Sequence, residues 1–149
     1  PLDITFTKGL GKYDRMLVRH ADGREEAIDC PKQGIIPHDM VHYAVEHGLG
    51  KRGFLTRVAD GEEASFRMGS EVESDGVERL VEVFQGDAWS GGTGMPNEMI
   101  ELYRVTCEAR QCPMLPVSPG DIESIRSTIR ELDARWQALA VGDSMRLRL

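Results

Sequence analysis

The chain has no apolar run long enough to cross a membrane and no pattern typical of export. No segment approaches the roughly 18 consecutive apolar residues of a membrane-spanning helix, and the N-terminus lacks the basic and then apolar regions of a signal peptide. Basic residues are fewer than acidic ones: the chain has 18 Lys and Arg and 25 Asp and Glu, which gives a net charge of −7. We therefore expect a cytoplasmic protein that binds neither membranes nor nucleic acids.

Cysteine is scarce, and its spacing is not that of a cysteine metal site. Cys30, Cys107 and Cys112 are odd in number, and the closest two are not arranged as C-x-x-C. We expect reduced, partly buried thiols rather than a disulfide framework. The sequence also lacks a serine nucleophile elbow, a Walker loop and a dinucleotide-binding fingerprint after a strand. These absences exclude the enzyme classes that such local motifs identify.

The remaining composition is that of a globular protein, and the pattern near both ends predicts strands. With 149 residues, 40% hydrophobic and 29% charged, residues 1–149 are expected to form a single domain. Residues 2–7 alternate apolar and polar side chains, and residues 15–19 and 25–30 flank an Asp-Gly turn, which predicts a hairpin. Residues 145–149 also alternate and could add to the same sheet.

The central part of the chain predicts four to five helices. These helices are expected over residues 37–48, 54–59, 75–84, from Pro96 to before Pro113, and from Ser118 to about 139. Between them, residues 62–75 form an acidic stretch that is expected to be a solvated loop, unless one of its carboxylates is a ligand. The fold class is therefore α+β, with a small antiparallel sheet beside these helices.

The last predicted helix carries a repeating apolar seam. Apolar residues recur there at alternating spacings of three and four, at Ile122, Ile125, Ile129, Leu132, Trp136 and Leu139. Such a seam either packs against the other helices of the chain or forms a homodimer contact. We favour packing, because two to three heptads rarely associate by themselves.

Three of the four histidines lie in one predicted helix, which is the strongest chemical signal in the chain. His38 and His42 are four residues apart, so both imidazoles can reach one metal ion from the same helix face. The stretch His-Asp-Met-Val-His resembles the HExxH motif of zincin peptidases, with Asp39 in the position of their general-base glutamate. The resemblance implies zinc or another divalent metal bound by His38 and His42.

The other ligands and the acid–base groups of such a site are less well defined by the sequence. Glu46 is four residues beyond His42, but positions 38 and 46 are about 12 Å apart along a helix axis, which strains a shared ion. We expect Glu46 to accept a hydrogen bond from His42, or Asp39 or Glu46 to orient a ligand or move a proton at a metal-bound water. The candidates for a third ligand are Asp60, Glu62, Glu63 and His20.

Two functional hypotheses follow from these patterns. The first is a metal-binding domain with the His38/His42 site, which extends to a metal-dependent hydrolase acting on a small molecule or a peptide. The alternative is a non-catalytic binding or regulatory domain that self-associates through residues 122–139, with the histidines structural. The early strands, the Pro-His-Asp-x-x-His-x-x-x-Glu helix and the late Trp-x-x-Leu helix together resemble a family of small bacterial domains of unassigned function. That resemblance implies no particular activity.

Overall fold

Four strands form one antiparallel sheet. The computed structural model describes residues 1–65 and 68–149, and the two remaining residues fall within the acidic stretch predicted as a loop. In chain order the strands are β1 (Asp3–Thr7), β2 (Tyr13–Arg19), β3 (Glu25–Pro31) and β4 (Ser144–Arg148), and their order in the sheet is β3-β2-β1-β4. The three N-terminal strands and the addition of β4 to β1 confirm the predicted sheet.

Alternating apolar residues give the sheet one buried face and fix its register. On β1, Ile4 and Phe6 are fully buried, and each lies opposite an apolar residue on both neighbouring strands. Because side chains alternate between the two faces, a shift of one residue would expose this entire set to water. On β4, Arg146 and Arg148 lie on the opposite face and are exposed, as predicted. The buried partners of β1 are Val18 and Met16 on β2, and Leu147 and Met145 on β4.

Five helices in the described part of the chain share a hydrophobic core with the buried face of the sheet. Their number agrees with the α+β prediction of four to five helices. Within residues 1–65 and 68–149, no helix has both the length and the apolar character that a membrane crossing requires. The helices are α1 (His38–Leu49), α2 (Phe54–Ala59), α3 (Val72–Trp89), α4 (Pro96–Ala109) and α5 (Pro119–Gln137).

Helix α3 begins earlier than predicted, so the last part of the expected acidic loop is helical. The helix was predicted to begin at residue 75, but the N–H of Asp75 donates to the carbonyl oxygen of Glu71 at 2.8 Å, which places Asp75 inside the helix. The added turn is held from outside by Arg52, whose backbone N–H donates to Glu73 and whose Nε donates to Glu71. The local sequence pattern carries no information about these contacts with a distant loop.

The apolar seam of α5 is buried in the core of the same chain. A capping box forms at Ser118, where the helix was predicted to start. The Asp121 N–H donates to the Ser118 hydroxyl at 3.1 Å, and the Ser118 N–H donates to the Asp121 carboxylate at 2.9 Å. The helix packs against α1 and α4. Packing within one chain therefore accounts for the repeat, and self-association through this helix stays a prediction. The buried residues of the seam are Ile122, Ile125, Ile129, Leu132 and Trp136.

Candidate metal centre

Helix α1 presents two histidines to α3. Pro37 precedes the helix with a φ of −51° and a ψ of 145°, so it is the capping residue and His38 is the first helical residue, one position later than predicted. At the other end, Gly50 adopts a left-handed conformation with a φ of 61°, which favours glycine and ends the helix. The rings of His38 and His42 face the same side, with centroids 4.8 Å apart.

A glutamate from α3 completes a group of three potential metal ligands. His42 Nε2 lies 2.7 Å from Glu78 Oε2, and His38 Nε2 lies 3.5 Å from Glu78 Oε1. One ligand atom from each of the three residues lies within 4.8 Å of the other two. Two imidazoles and one carboxylate form a recurrent ligand set for zinc and for other divalent transition metals. Among the described residues, these three form the group that is able to hold an ion.

The second ring nitrogen of His42 is held by Glu46, which lies behind the cluster. The Nδ1 of His42 lies 2.9 Å from Glu46 Oε2, which leaves Nε2 to face Glu78. Glu46 also accepts hydrogen bonds from the backbone N–H groups of Gly53, Leu55 and Thr56 and from the Thr56 hydroxyl. These donors belong to the first turn of α2 and the residue before it. Glu46 therefore fixes the orientation of His42 and caps α2 at the same time.

His38, His42 and Glu46 form a stripe along α1, and their exposure decreases from one end of it to the other. The side chain of His38 is 42% exposed, but those of His42 and Glu46 are only 2% and 0% exposed. The stripe therefore leads from the surface into the core. The reason is that α2 and α3 cover it, and Phe54 of α2 packs edge-on against His42 with centroids 5.9 Å apart.

The two glutamates stabilise a positive charge on His42. Burial opposes that charge, but the hydrogen bonds to Glu46 and Glu78 outweigh this effect and raise the pKa of His42 to about 10. Burial also opposes the charge on Glu78, yet the hydrogen bonds from His38 and His42 lower the pKa of Glu78 well below its usual range. The raised pKa favours the protonated form of His42 when no ion is bound. A metal ion has to displace the proton on Nε2 before it can bind.

Asp39 lines a pocket next to His38. Burial raises the pKa of the Asp39 carboxyl, although the neighbouring His42 and His38 act in the opposite direction. Burial also raises the pKa of the Cys30 thiol to about 12. Because His38 and Asp39 line the same pocket, a small ligand bound there would contact both side chains. The pocket has a volume of about 310 Å³ and is lined by Asp29, Cys30, Pro31, Gln33, His38 and Asp39.

The sequence pattern predicted that His38 and His42 lie together, but it indicated other residues as the third ligand. Asp60 and Glu62 instead pair with Arg52. His20 pairs with Glu26, with His20 Nε2 and Glu26 Oε2 2.7 Å apart. Glu63, the remaining candidate, is exposed. None of these four residues belongs to the ligand group that the described part of the chain contains.

A signal for Glu78 was present in the apolar pattern of α3. Val77 and Val81 are both fully buried, and Glu78 lies between them on the helix, at the edge of the buried stripe. A carboxylate at such a position needs a partner on the neighbouring element. The chain distance between Glu78 and the histidines hid that partner, because nothing in the sequence specifies that α1 and α3 pack side by side.

Comparisons with known proteins provide no further identification. No protein family model, no curated protein sequence and no solved structure matches the chain. The function therefore has to be argued from the geometry of the site.

Proposed function

We propose that this protein binds one divalent transition-metal ion, zinc in the first place, through His38, His42 and Glu78. The observation that carries the proposal is the convergence of three ligand atoms from two helices within 4.8 Å of one another. Ligand atoms around a tetrahedral zinc ion are about 3.3 Å apart, since each lies about 2.0–2.1 Å from the metal. The half-exposed His38 side chain has room to rotate by the difference.

The surroundings of His42 support the same proposal. A metal-binding histidine commonly donates its second ring N–H to a carboxylate, which selects the tautomer that leaves the other nitrogen free. Glu46 is that carboxylate, and it is held by hydrogen bonds from α2. Because α2 fixes Glu46 and Glu46 fixes His42, the ring orientation does not depend on the ion. This arrangement reduces the ordering that metal binding would require.

We extend the proposal to a metal-dependent hydrolase in which Asp39 is the acid–base group. A bound divalent ion would polarise an ester, amide or phosphoryl oxygen and would make a water molecule more acidic. Asp39 follows His38 directly, lines the same pocket, and has a carboxyl whose pKa is raised by burial. These properties suit a group that accepts a proton and returns it. The substrate class is a small molecule or a peptide segment that fits this pocket.

Metal analysis by inductively coupled plasma mass spectrometry tests the metal proposal. The protein is purified without a histidine tag and dialysed against metal-free buffer, and the double variant His38→Ala/His42→Ala and the single variant Glu78→Gln are treated identically. We expect about one equivalent of metal in the parent protein and less than about a tenth in both variants. His47→Ala is the matched control, because His47 is an exposed histidine of the same helix outside the cluster. Circular dichroism verifies that each variant is folded.

The test has a clear negative outcome. If the parent contains no metal and binds none when zinc, iron(II) or manganese(II) is offered, the proposal is wrong, and the cluster is a structural hydrogen-bond network around His42. If metal binds, Asp39→Asn separates binding from hydrolysis. That variant should retain its metal and lose the activity found in a screen of ester, peptide and phosphoester substrates. Equal hydrolysis by the parent and Asp39→Asn would remove Asp39 from the mechanism.

A further inference from the structure

A second pocket lies between the C-terminal end of α3 and the middle of α5. The segment before α1 and the loop after α3 close its sides, and its volume is about 300 Å³. This corresponds to about ten water molecules at about 30 Å³ each. The pocket shares no lining residue with the metal cluster. Any ligand it binds is therefore independent of the proposed metal function.

The floor of this pocket is apolar and belongs to the core. It is formed by Ile36, Phe84 and Ile129, which are 1%, 1% and 9% exposed. Because these side chains are packed from behind, the pocket cannot close by collapse of its floor without moving α3 relative to α5. Little of this floor is exposed, so an apolar group in the pocket would also contact the half-buried side chains of Ile35 and Ala88.

Two arginines one helical turn apart lie at the rim, and their surroundings differ. Arg126 is paired, since its Nε lies 3.2 Å from Asp87 Oδ2 and its Nη2 donates to the Gly94 carbonyl oxygen. Arg130 is exposed, and its Nη2 donates to the Gly92 carbonyl oxygen at 2.9 Å. Arg130 forms no ion pair with the described residues, although the carboxylate of Asp133, one turn further along α5, also lines the pocket. A guanidinium carries five N–H donors, so Arg130 can bind an anion without losing its existing hydrogen bond.

The loop after α3 holds Arg130 at the rim. Gly92 has a φ of 71°, in the left-handed region that favours glycine, and this turn places its carbonyl oxygen within reach of Arg130. The hydrogen bond restrains a long side chain that would otherwise be free in solvent. An apolar cavity and a fixed cation at its mouth are complementary to a molecule with an apolar body and one negative end.

We propose that this pocket binds a small aliphatic monocarboxylate, with the alkyl chain on Ile36, Phe84 and Ile129 and the carboxylate on Arg130. The probe is octanoate, which has one carboxylate and an unbranched alkyl chain. Calorimetric titration at low ionic strength should give saturable binding at one site, with a Kd of about 0.1–1 mM. The uncharged 1-octanol has the same chain, and we expect it to bind about tenfold more weakly.

Three variants separate the two parts of this interaction. Arg130→Gln should weaken octanoate binding about tenfold and leave 1-octanol unchanged, because only the charged end is lost. Ala88→Phe adds a ring to the pocket wall from a half-buried position on α3 and should abolish the binding of both probes. The matched control is Arg135→Gln, which removes the same charge from an exposed site on α5 outside the pocket. It should bind octanoate as the parent does.

Two results would overturn the proposal. The first is an absence of saturable octanoate binding up to about 10 mM, well above the range expected for a ligand of this size. The second is equal octanoate affinity in the parent, Arg130→Gln and Ala88→Phe, which would show that any binding occurs elsewhere on the surface.

Discussion

Replacing Glu46 by glutamine should both destabilise the protein and weaken its metal site, because Glu46 serves the two purposes with different oxygens. Oε1 accepts hydrogen bonds from Gly53 N–H, Thr56 N–H and the Thr56 hydroxyl, at 3.1, 2.8 and 2.8 Å. Oε2 accepts from His42 and from Leu55 N–H, at 2.9 and 3.1 Å. A glutamine can keep its oxygen at only one of these positions. The position with three donors is the better choice, so the amide nitrogen then faces His42 and Leu55.

The magnitude follows from these lost contacts. The Leu55 N–H would be buried without an acceptor, and leaving a buried donor unsatisfied reduces the free energy of unfolding by about 1–3 kcal/mol. His42 also loses one of its two carboxylate partners. We expect these two effects together to reduce the free energy of unfolding by about 3 kcal/mol. With a urea m-value of about 1–3 kcal/mol per molar, the unfolding midpoint falls by about 1–3 M. The amide N–H₂ also selects the His42 tautomer that has its proton on Nε2.

That tautomer cannot use Nε2 as a metal ligand, so zinc affinity should fall about 10- to 100-fold. Urea unfolding followed by circular dichroism in chelator measures the first effect, and a zinc competition titration measures the second. The matched control is Glu123→Gln, which makes the same change at an exposed position of α5 and should leave both quantities within error. A Glu46→Gln protein with the parental urea midpoint would refute the role assigned to this carboxylate.

Three further predictions concern packing and pH. Gly53→Ala should lower the free energy of unfolding by about 1–3 kcal/mol, because the added Cβ would lie 2.6 Å from Glu46 Cδ. Gly86→Ala has open space around the added Cβ, so it should stabilise α3 by about 0.5–1 kcal/mol in the same urea assay. The raised pKa of His42 stabilises the metal-free protein fully below its unfolded value of about 6.5. Stability should therefore decline as the pH rises toward about 10, and this decline should be smaller in His42→Asn, in which the Cys30 thiol still titrates. Ile129→Asp should lower the urea unfolding midpoint sharply at every protein concentration, because Ile129 is only 9% exposed within one chain. A variant that altered self-association and kept the parental midpoint would contradict the place of Ile129 in the core.

The elements whose pattern is local could be predicted from the sequence. The alternation in β1 and β4 specified their buried faces, and the capping box of α5 specified its start. The strict alternation of β4 indicated that it could add to the N-terminal sheet, but it did not specify β1 as its partner strand. The histidine helix was predicted within one residue because Pro37 and Gly50 mark its ends.

The features that depend on distant contacts could not be predicted in this way. Glu78 meets the histidines because α3 packs on α1, and the first turn of α3 forms because Arg52 binds its acidic residues. Glu46 was expected near His42, but its role as the cap of α2 depends on the tight corner between α1 and α2. In each case the deciding partner is far along the chain, so no local periodicity reports it.

The chain separation that hid Glu78 also has a consequence for the unfolded protein. His42 and Glu78 lie about 36 residues apart in the chain, so an unfolded chain rarely brings both to one ion. An ion bound only by the folded protein would stabilise it by mass action, by about 2.7 kcal/mol at a free metal concentration one hundred times the Kd. Chelation would remove this stabilisation, so the supply of metal would set the temperature at which the protein melts.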